Sequence, residues 1–143
     1  MKTITILPDF GMGPYGWIKD ADDETRYVGG NIADATCGFE FTEYKVSAEL
    51  ERDFAAWVTW FERACSVSDD ETAAFDWPEF HRQGLALTIR LKVEIGDQAR
   101  VMYDKPCEDP TADPTQRVEV LADGSLRTIH LQMGPGWKGR GSE

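Results

Sequence analysis

Leu50, Phe54, Trp57, Val58, Phe61 and Cys65 recur at steps of 4, 3, 1, 3 and 4. Apolar residues at that spacing line one face of an α-helix. Ser47 suits the N-cap, and Glu49 and Glu51 put acid in the first turn, where the helix end is partly positive. Trp60 lies off the apolar face, either exposed or covering a neighbouring element. A second helix starts at Asp76-Trp77-Pro78-Glu79: Asp76 fits the N-cap, Pro78 the first turn and Glu79 the capping-box position. Phe80, Gly84, Leu87, Thr88, Leu91 and Ile95 repeat the helical stepping, and Gly96 is a fitting stop. Leu85, Ile89 and Val93 form a second stripe, which predicts burial on two sides. Gly84 lacks a side chain where the first helix carries large ones, leaving room for another backbone.

A two-residue period marks the strands. Thr3 to Leu7 is the first, and Trp17-Ile18 opens a short second one after the loop Gly11-Met12-Gly13-Pro14-Tyr15-Gly16. The polar turn Asp20 to Thr25 follows, and Arg26-Tyr27-Val28 reads as the hairpin partner before Gly29-Gly30. Residues 31–46 carry mixed signals; Phe39-Glu40-Phe41 alternates. Ala99 to Tyr103 is a strand and Pro106 to Thr115 a proline-rich loop. Arg117 to Leu121 and Leu126 to Leu131 form a hairpin across Asp123-Gly124. Strands, then two helices, then strands predict an α+β fold: an antiparallel sheet with a pair of amphipathic helices packed on one face. Residues 1–133 read as a single domain, followed by a glycine-rich tail over 134–143.

Length and composition suit one globular domain: 143 residues, 41% of them hydrophobic and 11% aromatic. Charge changes the picture. Asp and Glu number 26 against 15 Lys and Arg, a net charge of −11. The acid is clustered at Asp20, Asp22, Asp23 and Glu24, at Asp69, Asp70 and Glu71, and at Glu108, Asp109 and Asp113. Tyr15, Trp17, Tyr27, Phe75, Trp77 and Tyr103 sit beside these clusters. Such a balance repels nucleic-acid phosphate and suits a basic protein partner. No run approaches the ~20 apolar residues needed to span a bilayer. The start, Met1 to Leu7, is interrupted by Pro8-Asp9 and lacks the pattern of a targeting segment. With three widely spaced cysteines, Cys37, Cys65 and Cys107, the expectation is a cytoplasmic protein with reduced thiols.

Candidate chemistry is sparse. Gly11-x-Gly13-x-x-Gly16 has dinucleotide-loop spacing, but Pro14, Tyr15 and Trp17 lead into an extended segment where that site needs a helix. His81 reads as a partly exposed helix residue, and His130 alternates with Ile129 and Leu131 in a strand. Neither has a metal-ligand neighbour, and the cysteines form no C-x-x-C pair. No calcium loop is present. The expectation is therefore no catalytic, cofactor or metal site. A Cys–His or carboxylate pair assembled in space, as in a small hydrolase, is the enzyme alternative. Asp104-Lys105-Pro106-Cys107-Glu108-Asp109-Pro110 is stiffened by prolines, which lowers the cost of ordering it on binding and equally suits a rigid crossover.

Several stretches resemble a group of small bacterial proteins, the immunity proteins of contact-dependent or type VI-secreted polymorphic toxins. They are Ile6-Leu7-Pro8-Asp9 with Pro14-Tyr15-Gly16-Trp17, Gly29-Gly30-Asn31, Asp53-Phe54 with Trp57 and Phe61-Glu62, Phe80 to Gly84, Leu91-Lys92 with Glu94-Ile95-Gly96-Asp97, and Tyr103 to Asp109. The resemblance implies a non-enzymatic inhibitor of a cognate toxin's C-terminal domain. That domain would be basic if it is a nuclease, and an acidic, aromatic surface would cover it. The residues expected at that surface are Tyr15, Trp17, Asp20, Asp22, Asp23, Asp69, Asp70, Trp77, Glu79, Glu108 and Asp109. An adaptor or regulatory protein for another basic partner would use the same surface.

Overall fold

A computed structural model describes residues 1–20, 27–65 and 69–131, with Asp69 described by its backbone. The elements are β1 (Lys2–Ile6), β2 (Pro14–Asp20), β3 (Gly30–Asp34), α1 (Ala48–Cys65), α2 (Asp69–Ala74), α3 (Trp77–Ile95), β4 (Ala99–Tyr103), β5 (Gln116–Val120) and β6 (Leu126–His130). The class is α+β. Six strands form one sheet in the order β3-β2-β1-β4-β5-β6. Every neighbouring pair is antiparallel except the central one, β1 with β4.

The helices explain that parallel pair. The start of α1 is bolted to the end of α3: Glu94 accepts the Ser47 N–H at 2.6 Å and its hydroxyl at 2.7 Å. Two antiparallel helices return the chain to the end from which it left. Lys92 then bridges α3 to β4 by donating to the carbonyls of Gly96 and Ala99. So β4 enters the sheet where β1 enters it, and both strands finish together at Ile6 and Tyr103.

Both predicted caps form. The Ser47 hydroxyl accepts from Leu50 N–H and the Asp76 carboxylate from Glu79 N–H. Glu79 does not reciprocate as a capping box, because its carboxylate is bonded to Arg82 and Gln83. The six periodic residues of α1 are buried, as is the first stripe of α3. Ile4, Ile6 and Val101 meet them from the sheet. Trp57 stacks on Phe80 at 4.5 Å between centroids, and Trp60 covers Phe75 and Phe80. Gly84 makes room for rings rather than backbone: a Cβ there would lie 2.5 Å from Trp57 and 2.7 Å from Tyr103.

Three expectations are corrected. The second stripe of α3 is not buried, since Val93 is 72% exposed and Leu85 and Ile89 are half-buried. The strand after the hairpin is Gly30–Asp34, with Tyr27 and Val28 outside it; Arg26 lies outside the described residues. Asn31 fixes the later register, its amide donating to the carbonyls of Gly16 and Ala33. Phe39 and Phe41 do alternate between inside and outside, but on turns, where Glu51 accepts the Phe39 N–H. The tail over 134–143 lies outside the described residues. Among the described residues no helix is long and apolar enough to cross a membrane.

A candidate protein-binding groove at the strand ends

Past Ile6 the chain turns back into β2, and past Tyr103 it departs the other way into β5. Parallel neighbours that part in this way leave a crevice at their carboxyl ends, the place where open sheets hold ligands. A groove of about 460 Å³ opens there. Asp9, Asp104, Glu108 and Asp113 line it against Lys105 and Arg117, and Pro8, Pro106 and Pro114 stiffen its walls. Arg117 is buried and donates to Asp104 at 3.1 Å, so the remaining field of the groove is negative. Tyr27, 62% exposed, stands in the lining.

The loop before β2 forms one rim. Phe10 stacks on Phe61 at 4.8 Å, and Gly11 N–H donates to Glu62. Anchored on both sides, the tip holds Met12 at φ 63 and 70% exposed. A left-handed backbone at an exposed apolar residue costs energy that the fold elsewhere must offset. The extended β2 begins at Pro14, directly after this glycine loop, so no helix N-terminus faces it.

The loop over 104–115 forms the other wall. The Asp109 carboxylate accepts the Thr111 N–H and hydroxyl, each at 2.8 Å, and Asp113 does the same for Thr115. The second oxygen of Asp109 meets His81 Nε2 at 2.6 Å, and His81 Nδ1 meets the Tyr103 hydroxyl at 2.6 Å. Burial, with the charge of Lys105 beside it, holds the imidazole below its ordinary value against the opposing pull of Asp109. Burial pushes the Asp109 carboxyl up, yet the bonds from Thr111 and His81 prevail and hold it below the usual range. Burial, with the charges of Asp109 and Asp104, lifts the Tyr103 phenol well above its ordinary value. These directions agree on one arrangement. The Tyr103 hydroxyl donates to Nδ1, and a neutral imidazole donates from Nε2 to ionised Asp109.

His81 is thus buried, because the proline loop closes over the start of α3, and the expectation of a partly exposed residue is corrected. Both its ring nitrogens are engaged, which leaves neither open to a thiol. Cys65 is buried and pushed up to about 11 by burial, with the Glu108 charge adding to it. His130 is exposed on β6. Among the described residues no three His, Cys, Asp or Glu side chains are grouped to hold a metal ion.

The eleven expected surface residues divide. Tyr15 stacks on Phe54 in the core, Trp77 is 5% exposed with its indole donating to Thr72, and Asp109 is fully buried. These three shape the interior and touch nothing outside, which corrects their assignment to the surface. Their aromatic or acidic character had suggested contact; the packing of α1 and the proline loop claims them. Trp17 is half-buried and donates to the Leu7 carbonyl. Asp20 is exposed and paired with Lys2 at 2.8 Å, at the opposite end of the sheet. At about 3.3 Å per residue, four steps along β1 put Asp20 roughly 13 Å from the groove. Asp22 and Asp23 lie outside the described residues. Asp69 and exposed Asp70 begin α2, which is tied to the end of α1 by the Thr72 hydroxyl and to the start of α3 by Trp77. Glu79 lies on the first turn of α3 and Glu108 in the groove wall.

Among the described residues the acid is therefore divided: Asp9, Asp104, Glu108 and Asp113 stand at the carboxyl end of β1 and Asp20 at the other. Sequence reasoning left Asp9 and Asp104 out of the expected surface, and read Asp113 only as part of an acid cluster with Glu108 and Asp109. A signal was there: Ile6-Leu7-Pro8-Asp9 and Tyr103-Asp104-Lys105-Pro106 both end an apolar strand on an Asp and a Pro. No family model matches the chain, and no curated protein or solved structure matches it either.

Proposed function

We propose that this protein is a non-enzymatic immunity protein that captures a basic toxin domain with the carboxyl end of its sheet. The observation that carries the reading is convergence: Asp9, Asp104, Glu108 and Asp113 surround one groove, with exposed Tyr27 in its lining. Clustered negative charge speeds encounter with a basic partner, and exposed apolar anchors slow release. Charge and anchors together support a basic protein as the partner; that the partner is a toxin rests on the sequence resemblance. Asp20 drops out of the contact in this reading, since it is at the far end of β1, while Asp22 and Asp23 lie outside the described residues.

The test pairs two assays. Co-expression with the toxic C-terminal domain encoded beside this gene is expected to restore growth. Reversal of Asp9 and Glu108 to Lys is expected to slow association about tenfold or more at low salt, with a smaller change in dissociation. Rescue with rates indifferent to both reversals would remove the groove from the interface. Failure to rescue, with tight binding to another basic protein, would favour the adaptor reading.

A further inference from the structure

The wall of the groove formed by residues 104–115 meets the start of α3 at one imidazole. Asp109 uses one carboxylate oxygen to close the Thr111 turn and the other to meet His81, so a single side chain couples the shape of the loop to α3. On its other side His81 meets Tyr103, the last residue of β4, directly before the loop begins. Helix, strand end and loop thus join at one ring. With the Tyr103 hydroxyl donating, the ring accepts on that side and donates to Asp109 on the other, as a neutral imidazole does. A cavity of about 220 Å³ borders it, lined also by Tyr103, Lys105, Asp113 and Arg117.

We propose that His81 is a proton-sensitive latch that holds the 104–115 loop, and with it the acidic wall of the groove, in the shape presented to a partner. A proton taken from solvent lands on Nδ1 and turns that acceptor into a donor aimed at the Tyr103 hydroxyl. The hydroxyl hydrogen then has to turn away inside a buried site. The charged groups around the ring act in both directions. Asp109 and, from the cavity rim, Asp104 and Asp113 attract an imidazolium, whereas Lys105 and Arg117 repel it. Trp77, stacked on the ring from the same helix, supplies no charge. Burial opposes the charged form, so the latch stays closed near neutrality and opens on acidification.

The proposal rests on the binding-face reading only for what the loop is used for, and its test needs no partner. Hydrogen exchange of the full chain, read on peptides spanning 104–115 and corrected for intrinsic rates, compares wild type with His81→Leu and His81→Gln. At about pH 7.5 the leucine variant is expected to exchange about tenfold faster in the loop, as the loss of a buried bond implies. The β1–β2 hairpin is expected to be unchanged. Glutamine keeps a donor toward Asp109 and is expected to restore part of the protection. As pH falls below about 6.5, wild-type protection should decline while the leucine variant shows no added decline. Equal loop exchange at neutral pH, or the same acid response in both proteins, overturns the latch. If His81→Leu does not fold, His81→Gln carries the same comparison, since it too removes the titrating ring, and Asp109→Asn checks the neutral-pH loosening from the loop side. A loosened loop with unchanged toxin capture would leave the latch standing and remove the groove from the binding face.

Discussion

Adding one methyl group at Gly84 tests whether the buried end of α3 is as tightly filled as the geometry says. In an ordinary helix interior, Gly→Ala stabilises by about 1 kcal/mol. Here the new Cβ would sit 2.5 Å from the Trp57 ring and 2.7 Å from both a ring carbon and the hydroxyl of Tyr103, where ordinary contact begins at 3.4 Å. Neither ring can step aside. Trp57 is stacked on Phe80 and donates to the Phe80 carbonyl at 2.9 Å, and the Tyr103 hydroxyl is bonded to His81. Overpacking a filled core costs about 1–3 kcal/mol, and a displaced buried hydrogen bond about 1 more. Against the helix gain, Gly84→Ala is expected to destabilise by about 1–3 kcal/mol. Urea unfolding followed by tryptophan fluorescence reads this as a lower midpoint at unchanged slope. A midpoint equal to or above wild type would refute the reasoning, because it would mean the rings have room.

Glu119 provides a second test: it is buried on the sheet face opposite the helices and accepts from Arg100 at 3.0 Å and Arg127 at 2.5 Å. Glu119→Ala leaves two guanidinium groups without this carboxylate and is expected to cost about 2–3 kcal/mol, discounted for the exposure of Arg127, with Glu119→Gln losing less; equal loss in both would count against the ion pairs. The pH dependence of stability follows from the groups whose titration the fold displaces. His81 sits below its ordinary 6.5, so the unfolded chain takes up that proton first and stability is lost as pH falls from 6.5 to the folded value. Asp109 and Asp113 are held below 3.8 and Glu119 below 4.5, so their contributions persist above those values and vanish at lower pH. Relief of repulsion among the net −11 charges runs the other way. The difference between wild type and His81→Leu between about pH 7 and 5 therefore isolates the imidazole. A difference that grows in favour of the wild type on acidification would contradict the assigned direction.

The helices were legible because their signals are local. Ser47 and Asp76 cap within three residues, and the apolar stepping from Leu50 to Cys65 needs no knowledge of the sheet. The parallel β1–β4 pair was less so, since it depends on two helices returning the chain to its starting end. The misread strand at Arg26-Tyr27-Val28 shows the same limit: alternation cannot distinguish a paired segment from one outside the sheet, and the register was decided by Asn31. The site was legible in its chemistry and not in its membership. Acid and aromatic residues gave the expectation of a binding surface, but burial then divided them. Tyr15, Trp77 and Asp109 went inside, while Asp9 came to the groove from the turn after β1. His81 was missed because its partners, 22 and 28 residues away, meet it only when the proline loop folds back.

The division of the acid also decides which variants can speak about binding. A carboxylate that accepts a backbone N–H keeps its charge, so structural use does not remove a residue from the field of the groove. Asp113 closes a turn and charges the groove at once, and Asp109 builds the wall from within. Replacing either changes shape and field together, and a slower association would then have two causes. Asp9 and Glu108 are better placed. Asp9 bonds to the N–H of its neighbour Phe10, on a loop already anchored by the Phe10–Phe61 stack and the Gly11–Glu62 bond. Glu108 lines the groove beside a turn that Pro106 and Asp109 close without it. Reversing those two charges alters the field while leaving these turns their own bonds, so a change confined to association reports steering by the groove.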